Sequence, residues 1–159
     1  MKKIPLTQGK FALVDDSDYE NLVKFDWQAI KSGYCYYAVR NGARIKGKRT
    51  PVRMHMVIME TPKGMETDHI DGDGLNNQRK NLRVCTRSEN QHNRTKYKNN
   101  TSGFKGVVLT KYKNSIYFRA QIVVDGKKVY LGSFSSDVDA YKAYCDACIR
   151  YHGEFSNLK

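Results

Sequence analysis

The first half of the chain carries short apolar runs that predict strands, separated by polar turns. Residues 11–14 have the length and composition of a strand, and one of residues 15–17 can cap a helix that follows. Aromatic and β-branched segments at 27–30 and 34–40 flank a Lys-Ser-Gly turn. This arrangement predicts a β-hairpin.

The pattern is less decisive between residues 41 and 64. Residues 41–49 are basic, contain glycine and show no alternation, so we expect a loop. The apolar run at 52–59 fits either a strand or a short helix, and the Pro-containing stretch at 61–64 ends it. The type of this element stays open.

Residues 65–93 follow the order strand, loop, strand, helix. A short extended piece leads into an Asp-Gly-Asp-Gly loop at 71–74, and a second extended piece follows at 81–85. Thr86 or Ser88 can cap a helix that runs to about residue 94. The polar, aperiodic residues after that helix predict a linker.

Alternation returns in the last third of the chain. Residues 106–110, 117–124 and 128–134 predict a three-stranded antiparallel sheet, with an Asp-Gly turn between the last two strands. A helix with one apolar face follows, capped by serine and stopped by Gly153. Because side chains alternate across a strand, we expect one side of the middle strand to pack on this helix and the other to be exposed.

Composition indicates a folded protein with an anionic partner. Hydrophobic residues make up 40% of the 159 residues, and 28 Lys+Arg against 16 Asp+Glu give a formal net charge of +12. Such an excess is typical of nucleic-acid-binding proteins. The net charge is +5 over residues 1–60, 0 over 61–93 and +7 over 94–159. This distribution is expected where carboxylates gather at a metal site between segments that neutralise phosphates.

Four cysteines, Cys35, Cys85, Cys145 and Cys148, are expected to be free thiols. The sequence shows no signal peptide, and disulfides are rare in reducing compartments. Cys145 and Cys148 form a C-x-x-C, but no second Cys or His pair stands at zinc-finger spacing, so structural zinc is the lesser alternative. No apolar run approaches the roughly 20 residues of a membrane span. We therefore expect a cytoplasmic, non-secreted protein without a membrane partner.

Polar residues at fixed offsets between 65 and 94 give the most specific signal. Asp68-His69 end the first extended piece, and Asn81 and Asn90 follow 13 and 22 positions after Asp68. This segment resembles the HNH nuclease motif, in the form carried by phage and intron-encoded homing endonucleases. In that family a ββα-metal fold presents these residue types from two strands and a helix. The resemblance implies a DNA endonuclease of a prokaryotic or phage-infected cell.

By this resemblance, Asp68 and Asn90 hold one divalent cation, His69 is the general base, and Asn81 orients the His69 ring. Carboxylate and amide oxygens are hard ligands that suit Mg²⁺ or Mn²⁺. An imidazole with a pKa near about 6.5 is partly neutral at cellular pH and can take a proton from the attacking water. Because strand neighbours point to opposite faces, Asp68 and His69 can act on one phosphate only if the strand ends or bends there.

Other readings of this segment are weaker. Taken singly, its residues would be ordinary turn formers and a surface histidine, but their joint spacing disfavours that interpretation. An EF-hand at 71–74 lacks the Glu that closes a twelve-residue calcium loop, so we interpret the loop as structural. His55 and Asn93 are possible supporting residues. His55 could equally pack or contact a phosphate, and His92 could contact DNA.

The last third of the chain has a resemblance of its own. The sequences Gly-Phe-Lys-Gly-Val at 103–107, Phe-Arg-Ala-Gln-Ile at 118–122 and Tyr-Leu-Gly-Ser-Phe at 130–134 resemble the plant Apetala/ethylene-response-factor DNA-binding domain. That domain lays a three-stranded sheet, backed by one helix, in the major groove. We expect DNA contacts from Lys105, Lys111, Tyr112, Arg119, Gln121, Lys128 and Tyr130. Lysine and tyrosine replace the usual arginine and tryptophan at several positions, so the plant target sequence is not implied.

The sequence thus predicts an α+β protein with an HNH endonuclease domain at 1–94, whose ββα-metal core lies at about 65–94. A linker at 95–102 and a DNA-binding domain at 103–159 follow. The predicted function is that of a metal-dependent homing-type endonuclease that nicks or cleaves double-stranded DNA, as a monomer or homodimer without another protein partner. The alternatives are a non-catalytic DNA-binding regulator on a degenerate HNH scaffold and an RNA-directed nuclease.

Overall fold

The computed structural model describes residues 1–45, 47–93, 100–113 and 115–158, with only the backbone of Ile45. Within these ranges the protein is a mixed α/β structure with several small antiparallel sheets and four α-helices. The chain divides into two compact units, Met1–Asn90 and Gln91–Lys159. Of the predicted linker, residues 95–99 lie outside the described ranges. No helix in the described part is long and apolar enough to cross a membrane.

The first unit consists of antiparallel strands connected by short helices. It begins with β1 (Lys2–Pro5), β2 (Phe11–Val14) and α1 (Asp16–Leu22). A three-stranded sheet follows, with β3 (Gln28–Ser32), β4 (Cys35–Ile45) and β5 (Lys48–Arg53). The remaining elements are α2 (Met54–Ile58), β6 (Glu66–His69), β7 (Leu82–Cys85) and α3 (Arg87–His92). Strands β1 and β2 form one hairpin, and β6 and β7 form another.

One apolar core joins the hairpins to the three-stranded sheet. It includes Trp27, which is 4% exposed and whose Nε1 donates to the Leu22 carbonyl at 2.8 Å. That bond satisfies the only polar atom of the indole side chain, so the ring can be buried without penalty. The other buried members are Ile4, Ala12, Val14, Leu22, Ala38, Met54, Ile58 and Leu82.

The expectation of a loop at 41–49 is wrong. Strand β4 continues to Ile45 and pairs with β5, with Arg44 opposite Arg49. The side chains here are polar and exposed, so backbone pairing rather than an apolar face defines the strands, and alternation could not reveal them. The ambiguous run at 52–59 divides between the end of β5 and helix α2.

The second unit is a three-stranded antiparallel sheet with one helix packed on it. The strands β8 (Val107–Tyr112), β9 (Ser115–Val124) and β10 (Lys127–Phe134) run in the order β10-β9-β8. Helix α4 (Asp137–His152) begins with the Ser136 side chain accepting from the Asp139 N–H. The core of the second unit, between the sheet and α4, contains Val107, Ala120, Ile122, Ala140, Tyr144, Ala147 and Cys148.

Gly106 shows why glycine precedes β8. Its φ is +76°, and a Cβ at this position would lie 1.9 Å from the ring of Tyr144. Any side chain would therefore push α4 away from the sheet. Just before it, the hydroxyl of Ser102 donates to the Val107 carbonyl at 2.7 Å, and Asn100 Nδ2 donates to the Phe104 carbonyl. Residues 100 and 102, placed in the linker by sequence, are thus bonded to the second unit.

Candidate functional site

The β6–β7 hairpin positions the predicted catalytic residues where a strand stops. Strand β6 ends at His69, because the Gly72 N–H donates to the His69 carbonyl at 3.0 Å and turns the chain. The Ile70 N–H donates to the Asn81 carbonyl at 2.9 Å just before β7 begins. Asp68 and His69 are therefore the last residues of β6, where the strand geometry that points neighbouring side chains to opposite faces ends. This meets the condition for both residues to act on one phosphate.

The ring of His69 is buried, and its Nε2 lies 3.4 Å from Oδ1 of Asn77. Asn77 is fully buried and is fixed by two further hydrogen bonds. Its Nδ2 donates to the Leu75 carbonyl at 3.1 Å, and its backbone N–H donates to the Leu13 carbonyl at 2.8 Å. Since Leu13 belongs to β2, the first hairpin of the chain holds the residue that contacts the ring.

These contacts favour one tautomer of a neutral His69. The Asn77 amide uses its Nδ2 on a carbonyl, so its oxygen faces Nε2 and accepts the ring proton, which leaves the lone pair on Nδ1. Burial lowers the pKa of His69 below its ordinary value, although the Asn77 hydrogen bond and the charges of Asp71 and Asp68 oppose this shift. A neutral imidazole is the form that a general base needs.

The structure corrects the predicted contact between Asn81 and the His69 ring. Asn81 Oδ1 accepts from the Asp71 N–H at 3.0 Å, while its Nδ2 donates to Asp71 Oδ1 at 2.9 Å and to the Asn76 carbonyl at 2.8 Å. The amide thus closes the loop between β6 and β7. Sequence reasoning chose Asn81 by analogy with the family motif, and in this structure Asn77 is the residue beside the ring.

The Asp-Gly-Asp-Gly loop satisfies its own carboxylates. Asp71 accepts from the Asp73 N–H, from Asn76 Nδ2 and from Asn81 Nδ2. Burial would raise the pKa of Asp71, but these hydrogen bonds outweigh it, and the pKa lies below its ordinary value. The Asp73 carboxylate accepts from the Leu75 N–H at 3.0 Å. Such internal bonding favours the structural interpretation of the loop over a calcium site.

Asp68 forms a buried ion pair with its cross-strand neighbour Arg83. The Asp68 Oδ2 atom accepts from Arg83 Nε at 3.0 Å and from Nη2 at 2.8 Å. The two side chains are only 8% and 11% exposed. The register of β6 and β7 places the two residues directly opposite each other, so the pair is a direct product of the hairpin.

Asn90 of α3 lies against the strand that carries Asp68. Its Nδ2 donates to Glu66 Oε2 at 2.6 Å, and Glu66 is two residues before Asp68, on the same face of β6. The start of α3 is fixed by a reciprocal cap. Glu89 accepts from the Thr86 N–H at 2.7 Å, and the Thr86 hydroxyl accepts from the Glu89 N–H at 3.3 Å.

The side chains of Asp68 and Asn90 are of types that a hard divalent cation binds. The carboxylate of Asp68 and the amide oxygen of Asn90 are oxygen ligands, the class that Mg²⁺ and Mn²⁺ prefer. In the part of the chain that is described, no three His, Cys, Asp or Glu side chains come together closely enough to hold a metal. A cation at Asp68 and Asn90 would therefore complete its shell with water and phosphate oxygens.

His55 packs against the ring of His69. The two rings meet edge to face with centroids 4.8 Å apart, and Tyr37 lies 5.8 Å from each of them. His55 is 3% exposed, and burial, together with the neighbouring His69 ring and the charge of Arg53, lowers its pKa to about 3. Of the alternatives left open by sequence, these observations favour packing over a phosphate contact.

Asn93 and His92 make contacts in the second unit. The Asn93 carbonyl accepts from Asn157 Nδ2 at 2.6 Å. The His92 ring stacks on His152 at a centroid distance of 3.6 Å. These contacts indicate a structural role for both residues, and the supporting catalytic role of Asn93 stays a prediction.

The exposed face of the second sheet carries five of the seven predicted DNA contacts. Tyr112 and Tyr130 are 63% and 61% exposed, and Tyr130 is the cross-strand partner of Gln121. The Arg119 guanidinium lies 6.0 Å from the Tyr130 ring centroid, and Lys128 is exposed opposite Val123. This face combines positive charge, an amide and aromatic rings, the groups that contact phosphates and base edges.

The other two predicted contacts lie elsewhere. Lys105 Nζ donates to the carbonyls of His92 at 2.7 Å and Asn157 at 3.3 Å, and burial lowers its pKa. Its ammonium group is therefore engaged within the unit. Lys111 is the cross-strand partner of Ile116 and so belongs to the helix-facing side of the sheet, opposite the Arg119 side. Sequence reasoning had grouped it with its neighbour Tyr112.

The cysteines are free thiols, as predicted. Cys85 and Cys148 are buried, while Cys35 and Cys145 are partly exposed. Cys148 Sγ lies 3.6 Å from His152 Nδ1 and 3.9 Å from the Tyr144 hydroxyl. These contacts do not include the third and fourth ligands that structural zinc requires.

Sequence reasoning gave no role to four residues that surround the site. Arg83 is the ion-pair partner of Asp68, and Glu66 is the hydrogen-bond partner of Asn90. Tyr37 and Asn77 flank His69. The i, i+2 spacing of Glu66 and Asp68 was a readable signal, because such residues share a strand face. The other three depend on pairings between distant segments.

The segment that carries the site matches a known family. Residues 55–92 match the HNH endonuclease family. "Protein 3.8" of Escherichia phage T7 is 37% identical over 81 residues, which cover 48% of this chain and 65% of the phage protein, just under two thirds of its length. A protein of Acanthamoeba polyphaga mimivirus, named an uncharacterized HNH endonuclease, is 29% identical over 153 residues, or 94% of this chain and 74% of the relative. No solved structure matches the chain. The HNH endonuclease match thus covers His55, His69 and Asn90 together.

Proposed function

We propose that the protein is a metal-dependent DNA endonuclease of the homing type, with its centre at Asp68, His69 and Asn90. The observation that carries this proposal is the neutral, buried His69, held by Asn77 at the end of β6 and beside Asp68. Its location within the segment that matches the HNH endonuclease family supports hydrolysis of phosphodiester bonds as the reaction.

Each side chain has a distinct task in this mechanism. His69 Nδ1 takes a proton from the attacking water, while the ring stays oriented through Nε2 and Asn77. Asn81 keeps the loop closed and so keeps the end of β6 in place. Asp68 and Asn90 would hold Mg²⁺ or Mn²⁺. When bound, such a cation supplies Lewis-acid stabilisation of the charge that develops on the phosphate and leaving oxygen.

The second unit is proposed to grip the duplex as an Apetala/ethylene-response-factor-like module. Its exposed face would contact the major groove through Tyr112, Arg119, Gln121, Lys128 and Tyr130. Lys105 is not proposed as a contact, because its ammonium group donates to two backbone carbonyls. The excess of +7 over residues 94–159 supports a polyanionic partner.

Conversion of supercoiled plasmid to nicked or linear DNA, with Mg²⁺ or Mn²⁺, tests the proposal. His69→Ala should abolish cleavage while the affinity for duplex DNA, measured in EDTA, stays within about twofold, because the buried ring makes no phosphate contact of its own. Cleavage by His69→Ala at the rate of the unmodified protein would refute the assignment. Tight binding without cleavage under either metal would favour the alternative, a non-catalytic DNA-binding regulator.

A further inference from the structure

Strand β4 connects the site to a basic hairpin. At its start, Cys35 Sγ donates to the Gly72 carbonyl at 3.3 Å, and the Gly74 backbone is so close that a Cβ there would lie 2.5 Å from the Tyr36 carbonyl. Tyr37 then flanks the two buried histidines. The far end of the strand pairs with β5, so one continuous element extends from the catalytic loop to the hairpin tip.

The charge of this sheet is uniform in sign. Residues 28–53 include 7 Lys or Arg and no Asp or Glu. Arg44 and Arg49 are cross-strand partners, an arrangement of like charges that destabilises an isolated sheet. Within the described residues, the exposed side chains of Arg44, Lys48 and Arg49 form no ion pair with a carboxylate. An external anion would relieve their repulsion.

We propose that Arg44, Lys48 and Arg49, the hairpin tip, bind the phosphate backbone of the DNA duplex whose scissile phosphate enters the site. This inference rests on the proposed nuclease function. Arginine forks and a lysine point charge both suit phosphate oxygens. At about 3.3 Å per residue, the seven residues from Tyr37 to Arg44 span at most about 23 Å, or about seven base pairs of duplex. The first unit therefore has a DNA contact of its own, close to the cleavage point.

The test measures binding, which needs neither cleavage nor knowledge of the target sequence. The full-length chain with His69→Ala is titrated in EDTA with a duplex of mixed sequence, long enough to cover both units, at several salt concentrations. The hairpin variant adds Arg44→Gln, Lys48→Gln and Arg49→Gln. The matched control instead adds Lys3→Gln, Lys24→Gln and Lys63→Gln, which remove the same charge from exposed positions of the same unit.

Three lost phosphate contacts should reduce the slope of log K against log salt by about 2.7. The ratio of the parent protein's affinity to that of the hairpin variant should therefore fall about 40-fold between about 50 and 200 mM salt. The slope of log K against log salt for the control should differ from that of the parent protein by less than about one. Equal slopes for the hairpin variant and the control would overturn the proposal. A slope change with single-stranded RNA but not with the duplex would overturn the choice of DNA.

A single and a double variant keep the test decisive if the triple variant misfolds. Arg49→Gln alone should reduce the slope by about 0.9, and Arg44→Lys with Arg49→Lys should leave it unchanged, because the charge is retained. A loss of slope in the charge-retaining variant would instead indicate a structural effect and refute the phosphate contact. Plasmid nicking by the unmodified protein is scored separately, so failure of the nuclease function and failure of the hairpin contact give different results.

Discussion

Removing Arg83 should destabilise the first unit far more than removing a second arginine whose ion-pair distances are nearly the same. Arg83 pairs with Asp68 through bonds of 2.8 and 3.0 Å, and Arg79 pairs with Asp18 through bonds of 2.7 and 2.9 Å. The two arginines differ in burial, because Arg83 is 11% exposed and Arg79 is 52% exposed, whereas Asp18 is 12% exposed. Breaking a buried pair costs about 3–5 kcal/mol, whereas a pair whose cation is exposed to solvent contributes at most about 1 kcal/mol.

The expected shifts follow from these energies. Glutamine keeps an uncharged NH2 donor, so we take about 3 kcal/mol for Arg83→Gln, which corresponds to a Tm lower by roughly 12–24 °C for a unit of this size. Arg79→Gln should lower Tm by less than about 8 °C. Thermal unfolding followed by fluorescence reports the first unit selectively, since Trp27 is the one tryptophan of the sequence and is buried. Equal shifts for the two variants would refute the argument from burial.

Three further predictions concern the site. Mn²⁺ should raise the Tm reported by Trp27 in the unmodified protein, and more strongly in Arg83→Gln, because the Asp68 carboxylate then has no arginine partner. It should not raise the Tm of Asn90→Ala. An equal rise in all three proteins would place the metal elsewhere. Asn77→Ala should slow plasmid nicking by about 100-fold with DNA affinity unchanged, because the His69 tautomer is no longer fixed, and an unchanged rate would exclude this role. The pKa of His55 is about 3 in the folded protein and about 6.5 in the unfolded chain. Between these two pH values the unfolded state binds more protons, so the free energy of unfolding falls as the pH drops from about 6.5 towards about 3. His55→Phe should flatten that decline in urea titrations at pH 7 and pH 5, and an unaltered decline would contradict it.

Sequence reasoning succeeded where local chemistry determines the structure. The strand of residues 11–14, the hairpin that flanks residue 33 and the short elements around the Asp-Gly-Asp-Gly loop follow from alternation, turn residues and caps. Thr86 was predicted as a cap and forms one with Glu89. These features depend on neighbours within a few positions along the chain, and such contacts are visible in a sequence.

What sequence reasoning missed depends on pairings between distant segments. Asn77 is positioned by a bridge to Leu13, more than sixty residues earlier, so its place beside His69 has no local signature. Arg83 opposes Asp68 only through the register of a hairpin with a long loop. The extension of β4 into the residues around Arg44 was missed because exposed, basic strands lack an apolar face to mark them.

The pairing of Asp68 with Arg83 also bears on how metal and fold are related. A buried carboxylate without a partner would favour unfolding, and in many small metalloproteins the cation relieves that cost, so that folding requires metal. Here a guanidinium already compensates Asp68, and the nearby loop satisfies Asp71 with its own N–H groups. The first unit should therefore fold without a cation, with His69 already in its neutral, oriented form. If the proposed cation binds there, it would contribute to the chemistry rather than to folding, because Arg83 already compensates the charge of Asp68 in the folded protein.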